Sequence, residues 1–222
     1  MSERRKPGEI ERASMAIIAQ ELAERGITLP AETEAVVKRV IHATADFDYA
    51  KSMRFTQDAV EQGVAFLRRG GMIVTDTNMA CSGISRPTLE KLGGAAVCFM
   101  AEPSVAQAAQ AQNTTRAAVS MERALAEYPG AALAVGNAPT ALLCIAEQIA
   151  AGARPALVIG VPVGFVNVVE SKKRLLEVCE RFDVPAIVSL GRKGGSTVAA
   201  AICNALLYTA ADALDPKARG WQ

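Results

Sequence analysis

Histidine is almost absent: His42 stands alone in 222 residues. A metal held by protein side chains needs clustered His, Cys or carboxylate ligands, so no metal site is expected. Cysteine is sparse and unpatterned. Cys81, Cys98, Cys144, Cys179 and Cys203 are odd in number and form no CxxC pair. With no signal peptide ahead of them, they read as reduced, mostly buried thiols of a cytoplasmic protein. A membrane-length apolar run is missing. The longest apolar window, Ala131 to Ala151, is interrupted by Gly136, Asn137, Pro139, Glu147 and Gln148, whereas a membrane span needs about 20 unbroken residues. It reads as a strand, a turn and a buried helix. Charge of one sign is also missing, since 24 Lys and Arg stand against 23 Asp and Glu. No segment interleaves basic and aromatic residues, which removes nucleic acid as a partner.

Two phosphate-binding signatures are absent as well. Lys193 precedes the Gly194-Gly195 pair and no GK[ST] follows a strand, so there is no P-loop. No GxGxxG exists either. A generic nucleotide- or phosphate-binding module is therefore a weak reading.

Half of the residues are apolar and 21% are charged, a globular composition. The length suits a single domain over 1–222, with the polar residues 1–7 expected to fray. Apolar residues at helical spacing (Ile10, Met15, Ile17, Ile18, Leu22) predict a helix from Gly8 to Arg25, stopped by Gly26. Pro30 starts a second helix, with Glu32 and Glu34 in its first turn and a stripe of Val36, Val37, Val40 and Ile41. Asp58 to Arg69 reads as a third helix, closed by Gly70-Gly71.

Beyond it come five short apolar runs: Met72–Thr75, Ala95–Phe99, Ala131–Val135, Leu157–Gly160 and Pro185–Ser189. Most end at a glycine or polar turn followed by a helical segment. Strands alternating with helices predict an α/β fold of five mainly parallel strands with helices on both faces. In such sheets a ligand sits beyond the carboxyl ends of the strands. Three glycine loops fall there: Gly136 to Thr140, Gly160 to Gly164 and Gly191 to Ser196. Glycine lets backbone approach a ligand, and free N–H groups at a helix start attract anions. The same glycines also serve ordinary tight turns.

On the helix that starts at Pro30, Lys38 and Arg39 lie four and three residues before His42 and share its face. Nearby cations depress an imidazole pKa, and an anionic ligand raises it again, which suits a proton donor beside a carboxylate-rich substrate. Asp46 and Asp48 either orient the imidazole or cap a turn. Asp76 to Ala80 places polar side chains on the same edge. Arg116, after Asn113-Thr114-Thr115, either holds a carboxylate or is a solvated surface charge.

The stretches IHATADFDYA, DTNMACSGI, NTTRAA, GNAPTALL, GVPVGFVNVVESKK and GRKGGS, in this order from about Glu11 to about Ala205, resemble the precorrin-8X methylmutase family of cobalamin biosynthesis. The resemblance implies a flavodoxin-like fold, a homodimer, and an isomerase moving a methyl group from C-11 to C-12 of the corrin macrocycle. It implies no cofactor, because cobalt, where present, belongs to the tetrapyrrole substrate. The wording HATADFDYA and DTNMA is similar to the cobalt-containing branch, while NTTR carries one residue more than the usual NTR. The family's active histidine matches His42, its substrate-contacting serine matches Ser14, and an arginine three before the histidine matches Arg39. Backbone N–H groups at Gly136, Asn137 and Gly164, with Arg39, Arg116, Arg192 and Lys193, suit a polycarboxylate. A non-catalytic corrinoid carrier is the alternative reading.

Overall fold

Pro7 supplies a fixed φ at the first position of α1 (Pro7–Glu24), and the Glu9 carboxylate accepts the Lys6 N–H at 3.1 Å. The structure, a computed structural model, describes residues 6–221. The expectation of fraying over 1–7 lies outside the described residues for 1–5, whereas Pro7 is helical. After α1 come α2 (Ala31–Thr44), the single turn α3 (Tyr49–Ser52), β1 (Met53–Phe55), α4 (Ala59–Arg68) and β2 (Met72–Thr75). The short α5 (Asn78–Gly83) and α6 (Arg86–Lys91) lead to β3 (Ala95–Val97), α7 (Pro103–Ala111), α8 (Arg116–Glu127) and β4 (Ala132–Val135). The chain continues through α9 (Pro139–Ala150), β5 (Leu157–Gly160), α10 (Val168–Arg181), β6 (Ala186–Ser189) and α11 (Ser196–Ala210) to a terminal 3-10 turn (Pro216–Arg219).

The sheet order is β1-β6-β5-β4-β2-β3, with β2 to β6 parallel and β1 antiparallel to β6. Counted along the chain, the parallel strands run 2-1-3-4-5, the flavodoxin-like doubly wound order, whose ligand crevice opens where the order reverses. Here that is between β2 and β4. The α/β expectation is borne out, but the sheet has six strands rather than five. The extra strand is three residues long, and exposed Arg54 sits in its middle. So short an edge strand carries no alternation to read.

Successive strand residues feed opposite faces. Ile73, Ala134, Ile159 and Ile187 pack with α2, α4 and α11, while Val74, Leu133, Val158 and Val188 pack with α8, α9 and α10. One stripe departs from the sequence pattern. In α1, Ile18 and Leu22 are buried together with Glu11, whereas Ile10 and Ile17 are 52% and 55% exposed.

Candidate active site

His42 occupies the last turn of α2, which ends at Ala45 in the left-handed region (φ 54°). The turn directs the next loop toward the carboxyl edge, where β1 begins by pairing Met53 with Ser189. The imidazole is exposed, and among the described residues it has no hydrogen-bond partner. Its pKa is pushed below the ordinary histidine value first by partial desolvation and then by the Arg39 guanidinium. Arg219 lowers it further and Glu11 opposes. Lys38 is not part of this set, because it pairs with Glu34 one turn back on its own helix.

Arg39 is not an open cation. Its Nη2 lies 2.7 Å from Glu11 Oε1, and Arg219 Nη2 lies 2.6 Å from the same oxygen. Burial alone would raise the Glu11 carboxyl, yet hydrogen bonds from Arg219 and Arg39 hold it below the usual carboxylate range. Both guanidiniums also lie over the Tyr208 ring, at 5.2 and 4.1 Å. Ser14 lies one turn after Glu11 on α1 and donates its hydroxyl to the Ile10 carbonyl at 2.9 Å.

Of the two parts open to it, Asp46 takes the turn cap and not the one toward His42. Its Oδ1 accepts the Asp48 N–H at 3.0 Å, an Asx-type cap. Its Oδ2 receives the Lys193 ammonium at 2.6 Å, and Asp48 Oδ2 receives the same group at 2.7 Å. These two hydrogen bonds raise the Lys193 pKa. Lys193 thus ties the loop after β6 to the loop after His42. Beneath it lies Lys172 of α10, which is fully buried. Its Nζ donates to the carbonyls of Gly191 (3.0 Å) and Lys193 (2.8 Å) and to Ser189 Oγ (3.3 Å). Desolvation lowers its pKa to about 8.

At the switch point the chain answers its own anion-binding geometry. Asp76, directly after β2, is buried. Its Oδ1 accepts the Gly136 N–H, and its Oδ2 accepts those of Asn137 and Ala138, all at 2.8 Å. Burial raises the Asp76 pKa against these three bonds. The expectation that Gly136 and Asn137 offer free N–H groups to a ligand is corrected here. Gly164 departs in the same way, its N–H being given to the Arg192 carbonyl at 3.1 Å. Glycine at 136 serves close packing instead, because a Cβ there would stand 2.7 Å from Ser196 Cα. The Thr77 and Ser196 hydroxyls, 2.8 Å apart, complete the contact between these loops.

Among the described residues, two of the expected cations face outward without an ion pair. Arg116 is exposed at the start of α8, beside Thr115, whose Oγ1 is 2.7 Å from that of Thr140 after β4. Arg192 is exposed and lies 5.4 Å from the ring of Phe165, itself 82% exposed. The Asn137 side chain is exposed on the same edge. Met79, Val163 and Val166 add uncovered apolar surface there. One cavity of about 440 Å³ lies away from this edge, walled by Thr56, Asp58, Cys179 and Pro185 at the amino ends of the strands, and another of about 380 Å³ is walled by Tyr208, Arg219 and Trp221.

Three of the five thiols are shut off from nucleophilic chemistry. Cys144, Cys179 and Cys203 are buried and pushed up to about 12 by desolvation. Sequence reasoning missed Glu11, Lys172 and Arg219. The first two had a signal, since each is a charge on a helix stripe that is otherwise buried.

A family model described as precorrin-8X methylmutase matches residues 9–209. The chain is 42% identical over 202 residues to the cobalt-precorrin-8 methylmutase of Priestia megaterium, covering 90% of this chain and 87% of that protein. It is 48% identical over 176 residues to the enzyme of the same name from Salmonella typhimurium, covering 79% of this chain and 80% of that one. The solved structure of the precorrin-8x methyl mutase from Thermus thermophilus aligns with a TM-score of 0.81 and 43% identity, over 91% of this chain and 98% of the other. On the strength of a match that spans nearly every element described above, the chain belongs to the precorrin-8X methylmutase family.

Proposed function

We propose that this isomerase of cobalamin biosynthesis moves the C-11 methyl group of cobalt-precorrin-8 to C-12, with His42 as the proton donor and acceptor. The observation that carries the proposal is the state of His42. It is a single exposed imidazole at the carboxyl edge, held toward its neutral form by desolvation and Arg39. A polycarboxylate ligand brings negative charge to that face and raises the pKa, so the proton arrives with the substrate. The protonated imidazole delivers its proton to the conjugated macrocycle, at a ring nitrogen in the cobalt-free substrate and at the carbon framework where cobalt holds the nitrogen lone pairs, which leaves the receiving carbon more electron-poor. The methyl group migrates within the ring, and the proton returns to His42. General acid catalysis of this kind gives roughly 10²–10⁴-fold, about 3 to 5 kcal/mol of barrier. The reaction needs no redox cofactor, since the methyl group leaves and arrives in the same molecule.

Binding falls to Arg116, Arg192 and the Asn137 side chain, with the uncovered Met79, Phe165 and Val166 suited to the flat macrocycle. Arg39, Lys193 and Ser14 act from behind, through the contacts that fix the two loops and the α1 face. The cobalt-containing substrate is preferred on the HATADFDYA wording and on the names of the two bacterial relatives. A homodimer in the cytoplasm is part of the same reading. Ile10 and Ile17 on one side of α1 and the open apolar edge are surfaces that a second copy would cover.

Anaerobic incubation with cobalt-precorrin-8, followed by absorption spectra and mass, tests the reaction. A spectral change at constant mass is expected. Tight binding with no spectral change, for cobalt-precorrin-8 and cobalt-free precorrin-8X alike, would replace the isomerase by the carrier. Sedimentation across a dilution series tests the dimer, and a site shared between its subunits requires specific activity to fall as monomer appears.

A further inference from the structure

The family match ends at residue 209, yet the chain beyond it is built into the face that carries His42. Ala213 and Pro216 are buried, and Arg12 of α1 pairs with Asp215 at 3.3 Å. Any side chain at Gly8 would collide with this segment, because a Cβ there would stand 2.5 Å from the Trp221 carbonyl oxygen. At the end of the terminal turn, Arg219 slots between Tyr208 and Trp221, at 4.1 and 5.4 Å from the rings. Its side chain is 7% exposed.

We propose that Arg219 is a positioning residue for His42: docked by the terminal segment onto Glu11 and Tyr208, it shares the Glu11 carboxylate with Arg39 and leaves net positive charge beside the imidazole. One carboxylate between two guanidiniums carries a net charge of +1. Without Arg219, Glu11 and Arg39 form a neutral pair, and Arg39 is free to turn wholly onto Glu11 Oε1. The elements packed on α2 offer other ionisable groups: Glu9, Arg12, Glu21 and Glu24 of α1, Tyr49 and Lys51 of α3, Glu61 and Arg68 of α4, and Cys203 and Tyr208 of α11. The loop after α2 adds Asp46 and Asp48 with Lys193, and α2 itself adds Lys38 with Glu34. The charges that act on His42 are Arg39, Glu11 and Arg219. The terminal segment therefore adds to the positive charge that disfavours the imidazolium before substrate carboxylates arrive.

This rests on His42 as the acid, but it is read without turnover. The lone histidine gives one imidazole signal in an NMR titration of substrate-free, full-length protein. In Arg219→Gln the titration midpoint moves upward, and Arg219→Lys, which keeps the charge, stays near the parent. Gly8→Ala, which displaces the segment while leaving Arg219 in the chain, moves the midpoint upward as Arg219→Gln does. An unchanged midpoint in Arg219→Gln would overturn the proposal, as would an equal shift in Arg219→Lys. Failure of the acid role itself shows separately, as undiminished turnover in His42→Ala.

Discussion

The loops after β4 and β6 look alike in sequence, and both resemble cradles for a ligand. The protein fills them with opposite charges of its own. After β4, three N–H groups converge on the Asp76 carboxylate. After β6, two carbonyls and a hydroxyl converge on the Lys172 ammonium. In a flavodoxin-like sheet the first position is the switch point, where an anionic ligand would be expected. Occupation by Asp76 removes it as a phosphate site and makes it a brace. A glycine loop on this edge therefore reports rigidity, while the groups that the proposed function assigns to substrate are side chains: His42, Arg116, Asn137 and Arg192.

The strongest break in this pairing is Asp76→Ala. It strands three N–H groups in a buried place, at a cost of about 3 kcal/mol or more, read as a lowered midpoint in chemical denaturation. Added formate or acetate should recover part of that loss by entering the vacated nest, and no recovery would mean the loop had collapsed instead. Lys172→Met should behave differently. Removing a buried charge that has no carboxylate partner among the described residues relieves desolvation but leaves the Gly191 carbonyl without its donor, and the two largely offset, so stability should change by no more than about 1 kcal/mol. Activity should fall roughly tenfold as the Gly191–Lys193 segment loosens.

The same lysine gives a pH signature. Its folded pKa of about 8 lies below the ordinary 10.5, so between those values the unfolded chain binds the extra proton. Stability contributed by this site thus rises with pH from about 8 to 10.5 and levels off outside that window. Denaturation curves across the window should lose that slope in Lys172→Met. A smaller effect is expected from Arg192→Ala, which removes one exposed contact: KM rises by a factor of about two to five with kcat unchanged. Least of all should follow from Lys193→Ala, whose clasp on Asp46 and Asp48 is exposed to solvent. Its melting temperature should match the parent's, with only the salt dependence reduced.

The parallel strands were readable because buried βαβ strands are near-continuous apolar runs, as in Leu157–Gly160. β1 was not, because Met53-Arg54-Phe55 draws its stability from pairing with β6 and not from its own pattern. The histidine and its arginine were readable from helical spacing, since both lie on α2. What Arg39 touches was not, because Glu11 and Arg219 come from opposite ends of the sequence. Lys172 shows a signal that is easy to pass over. It sits among Val168, Ser171, Leu175 and Val178 on the buried side of α10, so helical spacing alone places its charge inside.

The most direct test of the account is the pH dependence of cobalt-precorrin-8 turnover by the parent protein and by His42→Ala. A protonated His42 predicts a rate that declines as pH rises, with a higher midpoint in kcat than in kcat/KM because substrate raises the pKa. It predicts a loss of roughly 10²–10⁴-fold in His42→Ala, with tetrapyrrole binding retained. Undiminished turnover in that variant, or one midpoint common to kcat and kcat/KM, would contradict it.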